Sequence, residues 1–126
     1  MKKTKKYSIN EIASMFDIST RTIRYYEEVG LLKSEEREDK NQQRFFTAKE
    51  RTRLKLILRG KRMGFKLEEI KEMVDLYENN PAGEKEKERI IEYSDKKIIE
   101  IEEKILELEA LKAEILGNRK RIIEEK

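Results

Sequence analysis

Residues 19–32 read Ser-Thr-Arg-Thr-Ile-Arg-Tyr-Tyr-Glu-Glu-Val-Gly-Leu-Leu and concentrate the side chains best suited to chemistry in this 126-residue chain. Arg21 and Arg24 are planar, permanently charged forks that match guanine edges and phosphates. Around them stand the hydroxyls of Ser19, Thr20, Thr22, Tyr25 and Tyr26, all able to hold phosphate oxygens. Lysines alone would make a positive surface; arginines interleaved with hydroxyls make one able to read a duplex. The chemistry implied is recognition of double-stranded DNA.

Such a helix needs a partner to hold it, and the preceding residues supply one. Ser8 to Phe16 reads as a helix that starts with the S-x-x-E capping box Ser8/Glu11, with Tyr7 and Ile12 spaced as a hydrophobic staple. Asp17-Ile18-Ser19 is a tight turn, so the whole is a helix-turn-helix. Ile9, Ile12, Ala13 and Phe16 recur at helical spacing and are expected to pack on Ile18, Ile23 and Val29. Gly30 ends the second helix, and Leu31 and Leu32 anchor the chain as it leaves. Lys2, Lys3, Lys5 and Lys6 form a basic arm, expected to be a solvated tail that touches phosphate at most.

Charge is divided unevenly. Residues 1–66 hold 18 Lys/Arg against 9 Asp/Glu, whereas residues 67–126 hold 12 against 18, so a formal net charge of +3 conceals a basic front suited to polyanions and an acidic rear that avoids them. Cysteine and histidine are both absent, which excludes disulfides, thiol redox sensing and nearly all zinc and copper sites; no metal or cofactor is expected. With 45% charged residues, no long apolar run and no signal-type hydrophobic core, the reading is a soluble, cytoplasmic protein with no membrane partner. Nor is an enzyme expected. There is no Gly-rich phosphate loop and no nucleophile elbow, and most carboxylates stand beside lysines on helix faces as solvated pairs.

From Lys33 to Phe46 the chain is polar and lacks helical periodicity, ending in Arg44-Phe45-Phe46; this suits a hairpin or wing, with an unstructured loop as the alternative. A second capping box, Thr47/Glu50, opens a helix to about Gly60 that carries Leu54, Ile57 and Leu58 inward. Another helix, about Leu67 to Tyr77, places Ile70, Met73, Val74 and Tyr77 on one face. Asn79-Asn80-Pro81-Ala82-Gly83 breaks the pattern.

The longest helical pattern runs from about Glu84 to Leu116. With Ile91 at heptad position a, positions a and d read Ile91, Ser94, Ile98, Ile101, Ile105, Leu108, Lys112, Ile115, Arg119 and Ile122, of which seven are apolar. A segment about 50 Å long at 1.5 Å per residue exceeds what a small domain needs for its own core. A second copy is therefore the expected partner, with Ile91, Ile98, Ile101, Ile105, Leu108 and Ile115 in the seam; folding back on its own domain is the alternative. Gly117-Asn118 reads as a stop before a short tail. The expected organisation is a winged helix-turn-helix over residues 1–78, a linker at 79–83, and a dimerisation helix with tail over 84–126.

The string Arg21-Thr-Ile-Arg-Tyr-Tyr-Glu-Glu-Val-Gly-Leu-Leu32, followed by a wing and a terminal helix, resembles the MerR family of bacterial transcription regulators across roughly Tyr7 to Tyr77. Within it, Arg53 to Phe65 is similar to the subgroup regulating branched-chain amino-acid and fatty-acid degradation, which implies gating by a small metabolite such as an acyl-CoA. The family resemblance implies a mainly α, homodimeric protein joined by an antiparallel coiled coil. It implies that Arg21, Thr22 and Arg24 face the major groove, Tyr25 and Tyr26 hold phosphates, and Arg44 binds backbone from the wing, with Arg37, Lys40, Asn41, Gln42 and Gln43 as further wing candidates. It also implies a two-fold symmetric operator and promoter DNA distorted so that RNA polymerase engages it. Two recognition helices on a rigid dimer meet half-sites about 34 Å apart or a multiple of that, and distorting the site costs about 1–6 kcal/mol. The chain departs from the family pattern in lacking the wing glycine, in having Ser34 where proline is frequent, and in having no cysteines for metal sensing. The competing reading is an architectural, excisionase-like winged-helix factor that bends DNA without controlling transcription; the long terminal helix argues against it.

Overall fold

The computed structural model describes residues 5–36 and 44–125, and these are mostly helical. The order is β1 (Lys6–Tyr7), α1 (Ile9–Phe16), α2 (Thr20–Glu28), β2 (Phe46–Thr47), α3 (Ala48–Arg62), α4 (Leu67–Asn79) and α5 (Glu84–Glu124). The chain divides into two compact units, Met1–Pro81 and Ala82–Lys126.

In the first unit, α1 packs on α2 and α3 packs on both α4 and β2. Helix α1 begins with the reciprocal box read from the sequence: Glu11 N–H donates to Ser8 Oγ and Ser8 N–H to Glu11 Oε1, each at 3.1 Å. It ends at Asp17, whose left-handed backbone (φ 53°, ψ 48°) lets Ile18 N–H reach Ala13 O at 3.0 Å. Asp tolerates that conformation better than a bulkier residue would. Helix α2 ends through Gly30 at φ +79°, with Leu31 and Leu32 N–H both turned back onto Tyr26 O. Leu31 and Leu32 are buried, and with Ile12, Ile23, Phe46, Leu54, Ile57 and Ile70 they form the core. Tyr7 and Ile12, the staple pair, are both buried.

Several expectations change. Lys6 is not part of a free arm: Lys6–Tyr7 pairs antiparallel with Phe46–Thr47, and the Lys6 ammonium lies 4.7 Å from the centre of the Phe45 ring. A short strand so near a chain end leaves no periodicity to read. Val29 is exposed, because a residue six beyond Ile23 falls off the inward stripe. Tyr77 is likewise exposed, although its neighbours Ile70 and Val74 are buried. Leu58 is half-buried beside fully buried Leu54 and Ile57.

Gly60 does not end α3, which continues to Arg62. A Cβ at Gly60 would stand 2.8 Å from Ile70 Cγ1, so this glycine makes room for an α4 side chain against α3 rather than marking where a helix stops. The turn falls at Gly64, φ +86°. Thr47 caps α3 without a side-chain hydrogen bond, and Glu50 accepts instead from Lys33 N–H at 2.9 Å.

Helix α5 spans 41 residues, about 60 Å at 1.5 Å per residue. It runs through Gly117-Asn118, correcting the expected stop and the short tail. One helical glycine costs about 1 kcal/mol against alanine, and with no proline following, the flanking residues carry the helix through. No residue of α5 is buried. Ile91, Ile98, Ile101, Ile105, Leu108 and Ile115 are 45–65% exposed, alongside a polar face that carries the i,i+3 ion pairs Arg89–Glu92 and Lys97–Glu100.

Candidate nucleic-acid interface

Helix α2 starts at Ser19, whose Oγ accepts from Thr22 N–H at 3.1 Å and lies 2.9 Å from Thr22 Oγ1. The two hydroxyls thus organise the helix entrance as well as offering polar atoms to a ligand. The first turn carries no acidic side chain, so the positive end of the helix dipole is unopposed at the place where phosphate would approach. Thr20, at the first helical position, is half-buried.

Arg21 and Arg24 stand one turn apart and are both exposed. Tyr25 shares that side at 43% exposure, whereas Tyr26 is only 7% exposed. The pair of tyrosines therefore divides into an exposed member, Tyr25, and a mostly buried one, Tyr26. Tyr26 lies three residues beyond buried Ile23 on the inward stripe, and its ring packs in the core. Burial, with a smaller contribution from Tyr25, raises its phenol above the usual value.

The wing begins and ends in an ordered pairing. Glu35 and Phe45 form an antiparallel bridge, with Glu35 N–H donating to Phe45 O at 2.8 Å and Phe45 N–H to Glu35 O at 2.9 Å. This favours the hairpin reading at its base. Arg37, Lys40, Asn41, Gln42 and Gln43 lie outside the described residues. Arg44 is exposed and borders one open groove together with Arg24, Ser8, Ile9, Asn10, Phe46 and two carboxylates, Glu27 and Glu28. Two arginines twenty positions apart in sequence thus flank one depression on one side of α2. Sequence spacing alone had no means of joining them, nor of adding Ser8 and Asn10 to the same rim.

Ser34 is 4% exposed, and its Oγ donates to Glu27 Oε2 at 2.9 Å. The residue that departs from the family pattern therefore ties the start of the wing to the last turn of α2, a bond proline could not make. Further cations, Lys55, Arg59, Lys61 and Arg62, are exposed on α3 and add to the positive field of this unit.

A capped, cation-bearing helix behind a tight turn, with a wing base beside it, defines a helix-turn-helix DNA-binding unit. Two family models match the chain: MerR HTH family regulatory protein over residues 7–76, and MerR, DNA binding, over residues 51–117. The HTH-type transcriptional regulator CueR of Salmonella typhi is 33% identical over 112 residues, covering 87% of this chain and 77% of that protein. The mercuric resistance operon regulatory protein of Bacillus cereus is 29% identical over 121 residues, covering 96% and 89%. Among solved structures, the transcription regulator PbrR691 of Ralstonia metallidurans, in complex with lead(II), aligns with a TM-score of 0.73 at 28% identity, covering 89% of this chain and 84% of that one. HiNmlR, a MerR family regulator lacking the sensor domain and bound to promoter DNA, shares the fold with a TM-score of 0.61 at 24% identity over 95% of each chain. This chain belongs to the MerR family of DNA-binding transcription regulators.

The narrower likeness at Arg53–Phe65 is not supported by these relatives, whose names point elsewhere. The structure gives that string its own account: Leu54 and Ile57 fill the core, Gly60 admits Ile70, Gly64 makes the turn and Arg53 is buried. Those residues of the string serve packing and the turn.

Proposed function

We propose that this protein acts as a homodimer that reads a two-fold symmetric operator through α2 and distorts promoter DNA, so acting on RNA polymerase through the promoter. The reading is carried by the convergence of exposed Arg24 and Arg44 on one groove, which Glu27 and Glu28 also line, together with a first turn of α2 that has no acidic side chain. The dimer is supported by α5, whose heptad isoleucines and leucines are exposed along a 41-residue helix with no buried residue. Apolar stripes of that extent are covered by a partner helix in water. Such a protein works where promoters are, in the bacterial cytoplasm, and among its described residues no helix is long and apolar enough to cross a membrane.

Soft ions such as mercury(II) or lead(II) prefer thiolates, and this chain has no cysteine, so a thiolate-based metal response is not available to it. Gating by a small metabolite such as an acyl-CoA rests on the subgroup resemblance alone; a thermal-shift titration with acyl-CoA thioesters tests it, and a flat response removes it.

The central experiment is footprinting on a duplex selected from random sequence, at several salt concentrations. Protection symmetric about a two-fold axis, with affinity falling steeply as salt rises, is the expected result. Equal affinity for all duplexes would overturn the reading. Transcription from a reporter promoter carrying the selected site separates a regulator from a purely architectural factor.

A further inference from the structure

Arg53 is buried, and its guanidinium is engaged in three directions. Its Nε donates to Leu31 O, the first carbonyl after the turn that ends α2. Its Nη1 lies 2.9 Å from Glu78 Oε2 and its Nη2 2.8 Å from Asp75 Oδ1, both on α4. One turn earlier on α3, Glu50 takes the N–H of Lys33 at 2.9 Å. Glu50 and Arg53 thus hold a carbonyl and an amide two residues apart in the segment that leaves the recognition helix. From α4, Lys71 reaches Asp75 Oδ2 at 3.2 Å, and its Cε would lie 3.3 Å from a Cβ at Gly30.

We propose that Arg53, held by Asp75 and Glu78, is a positioning residue for DNA recognition: it fixes the exit of α2 on the α3–α4 pair and thereby sets the angle at which Arg21 and Arg24 are presented. The inference rests on the reading of α2 as the DNA-contacting helix. Its physical basis is that a pair joining buried Arg53 to carboxylates that are 38% (Asp75) and 21% (Glu78) exposed is a poor source of net stability, since solvent screens the exposed partners and apolar residues of the same volume often serve a buried site as well. What a rigid three-way fork supplies and a methionine cannot is direction. Bidentate base contacts depend on direction, whereas contacts to phosphate tolerate small rotations because they carry no sequence information. A loosened exit is therefore expected to lower affinity for the correct site while sparing affinity for DNA in general.

The test uses the full chain and two duplexes: the site that the wild-type protein selects from random sequence, and a scrambled duplex of the same length. Arg53→Met is expected to reduce the ratio of the two affinities about tenfold, with the scrambled duplex bound as before and the salt dependence unchanged. Arg53→Lys, a point charge without the fork, is expected to restore little of the ratio. Ile57→Val, which loosens the same core without touching the clasp, is expected to leave the ratio intact at temperatures where both proteins are folded. An undiminished ratio in Arg53→Met, or an equal loss in Ile57→Val, overturns the proposal. Should Arg53→Met not fold, the double variant Asp75→Asn/Glu78→Gln decides in the same way: a reduced ratio supports the proposal and an unchanged one overturns it. If the wild-type protein selects no sequence at all, it is the reading of α2 that falls.

Discussion

Replacing Ile105 with lysine tests whether α5 pairs along its heptad face. Ile105 is 48% exposed, so about half of its surface remains to be covered by a partner. Full burial of an isoleucine stabilises by about 1.5–3 kcal/mol, so the half still available is worth about 1 kcal/mol, and a dimer contains the site twice. Placing an ammonium at each of those positions adds at least about 1 kcal/mol per copy, even if the lysine stems bend to keep their charges wet. The total of about 4 kcal/mol corresponds to a dissociation constant weakened about a thousandfold. Sedimentation velocity over a concentration series is expected to show dimer for the wild-type protein and monomer for Ile105→Lys at micromolar concentration, with specific DNA binding lost in parallel. Glu103→Lys, at the outermost heptad position, controls for the added charge and is expected to remain dimeric. A dimer that survives Ile105→Lys would refute the register, and a wild-type monomer would refute pairing through α5 altogether.

Arg24→Ala is expected to weaken specific binding by about 1–3 kcal/mol and relax base preference at one position; competition between related duplexes reads this, and an unchanged preference would reassign Arg24 to phosphate. Gly60→Ala gains about 1 kcal/mol of helix propensity but overpacks Ile70 at a cost of about 1–3 kcal/mol, for a net loss of about 1 kcal/mol in urea denaturation. Adding Ile70→Ala should make Gly60→Ala favourable in a double-mutant cycle, and a more stable Gly60→Ala single variant would show that the two helices can separate without cost. Asp75 and Glu50 act oppositely with pH. Burial raises the Asp75 carboxyl, but hydrogen bonds from Arg53 and Lys71 outweigh it and hold the group below its ordinary value; its contribution is present above the unfolded value and lost as pH falls through the folded one. Burial raises Glu50 with only partial compensation from Lys33 N–H and Arg53, so its contribution is present at low pH and is lost as pH rises through the raised value. Urea midpoints across the acid range should therefore fall less steeply toward low pH in Asp75→Asn, and should lose the decline above the ordinary glutamate range in Glu50→Gln. An unaltered acid limb in Asp75→Asn would remove the assignment.

Local signals carried far in this chain because each rests on a few neighbouring residues. The Ser8/Glu11 box, the αL exit at Gly30 and the 3.6-residue stripes of α1, α3 and α4 need no tertiary context, and all were legible. So was the MerR family, through the string from Arg21 to Leu32, since a cation-bearing helix of that spacing after a tight turn is itself the functional element. Glycine was the ambiguous residue. Gly60 and Gly117 look in sequence like the helix-ending Gly30, but one admits Ile70 and the other stays inside a helix, and only their surroundings set them apart from it. Pairings between distant segments were equally hidden: β1 with β2, Arg24 with Arg44 on one groove, and Arg53 with Leu31, Asp75 and Glu78. A charged residue four positions before buried Ile57 was the one available hint of the last. The sequence alone determined which helices form and which one carries the arginine and hydroxyl face, because hydrophobic periodicity and capping act over a single turn. Tertiary structure decided which of that helix's side chains face outward and what holds its far end, because those depend on contacts between residues that only folding brings together.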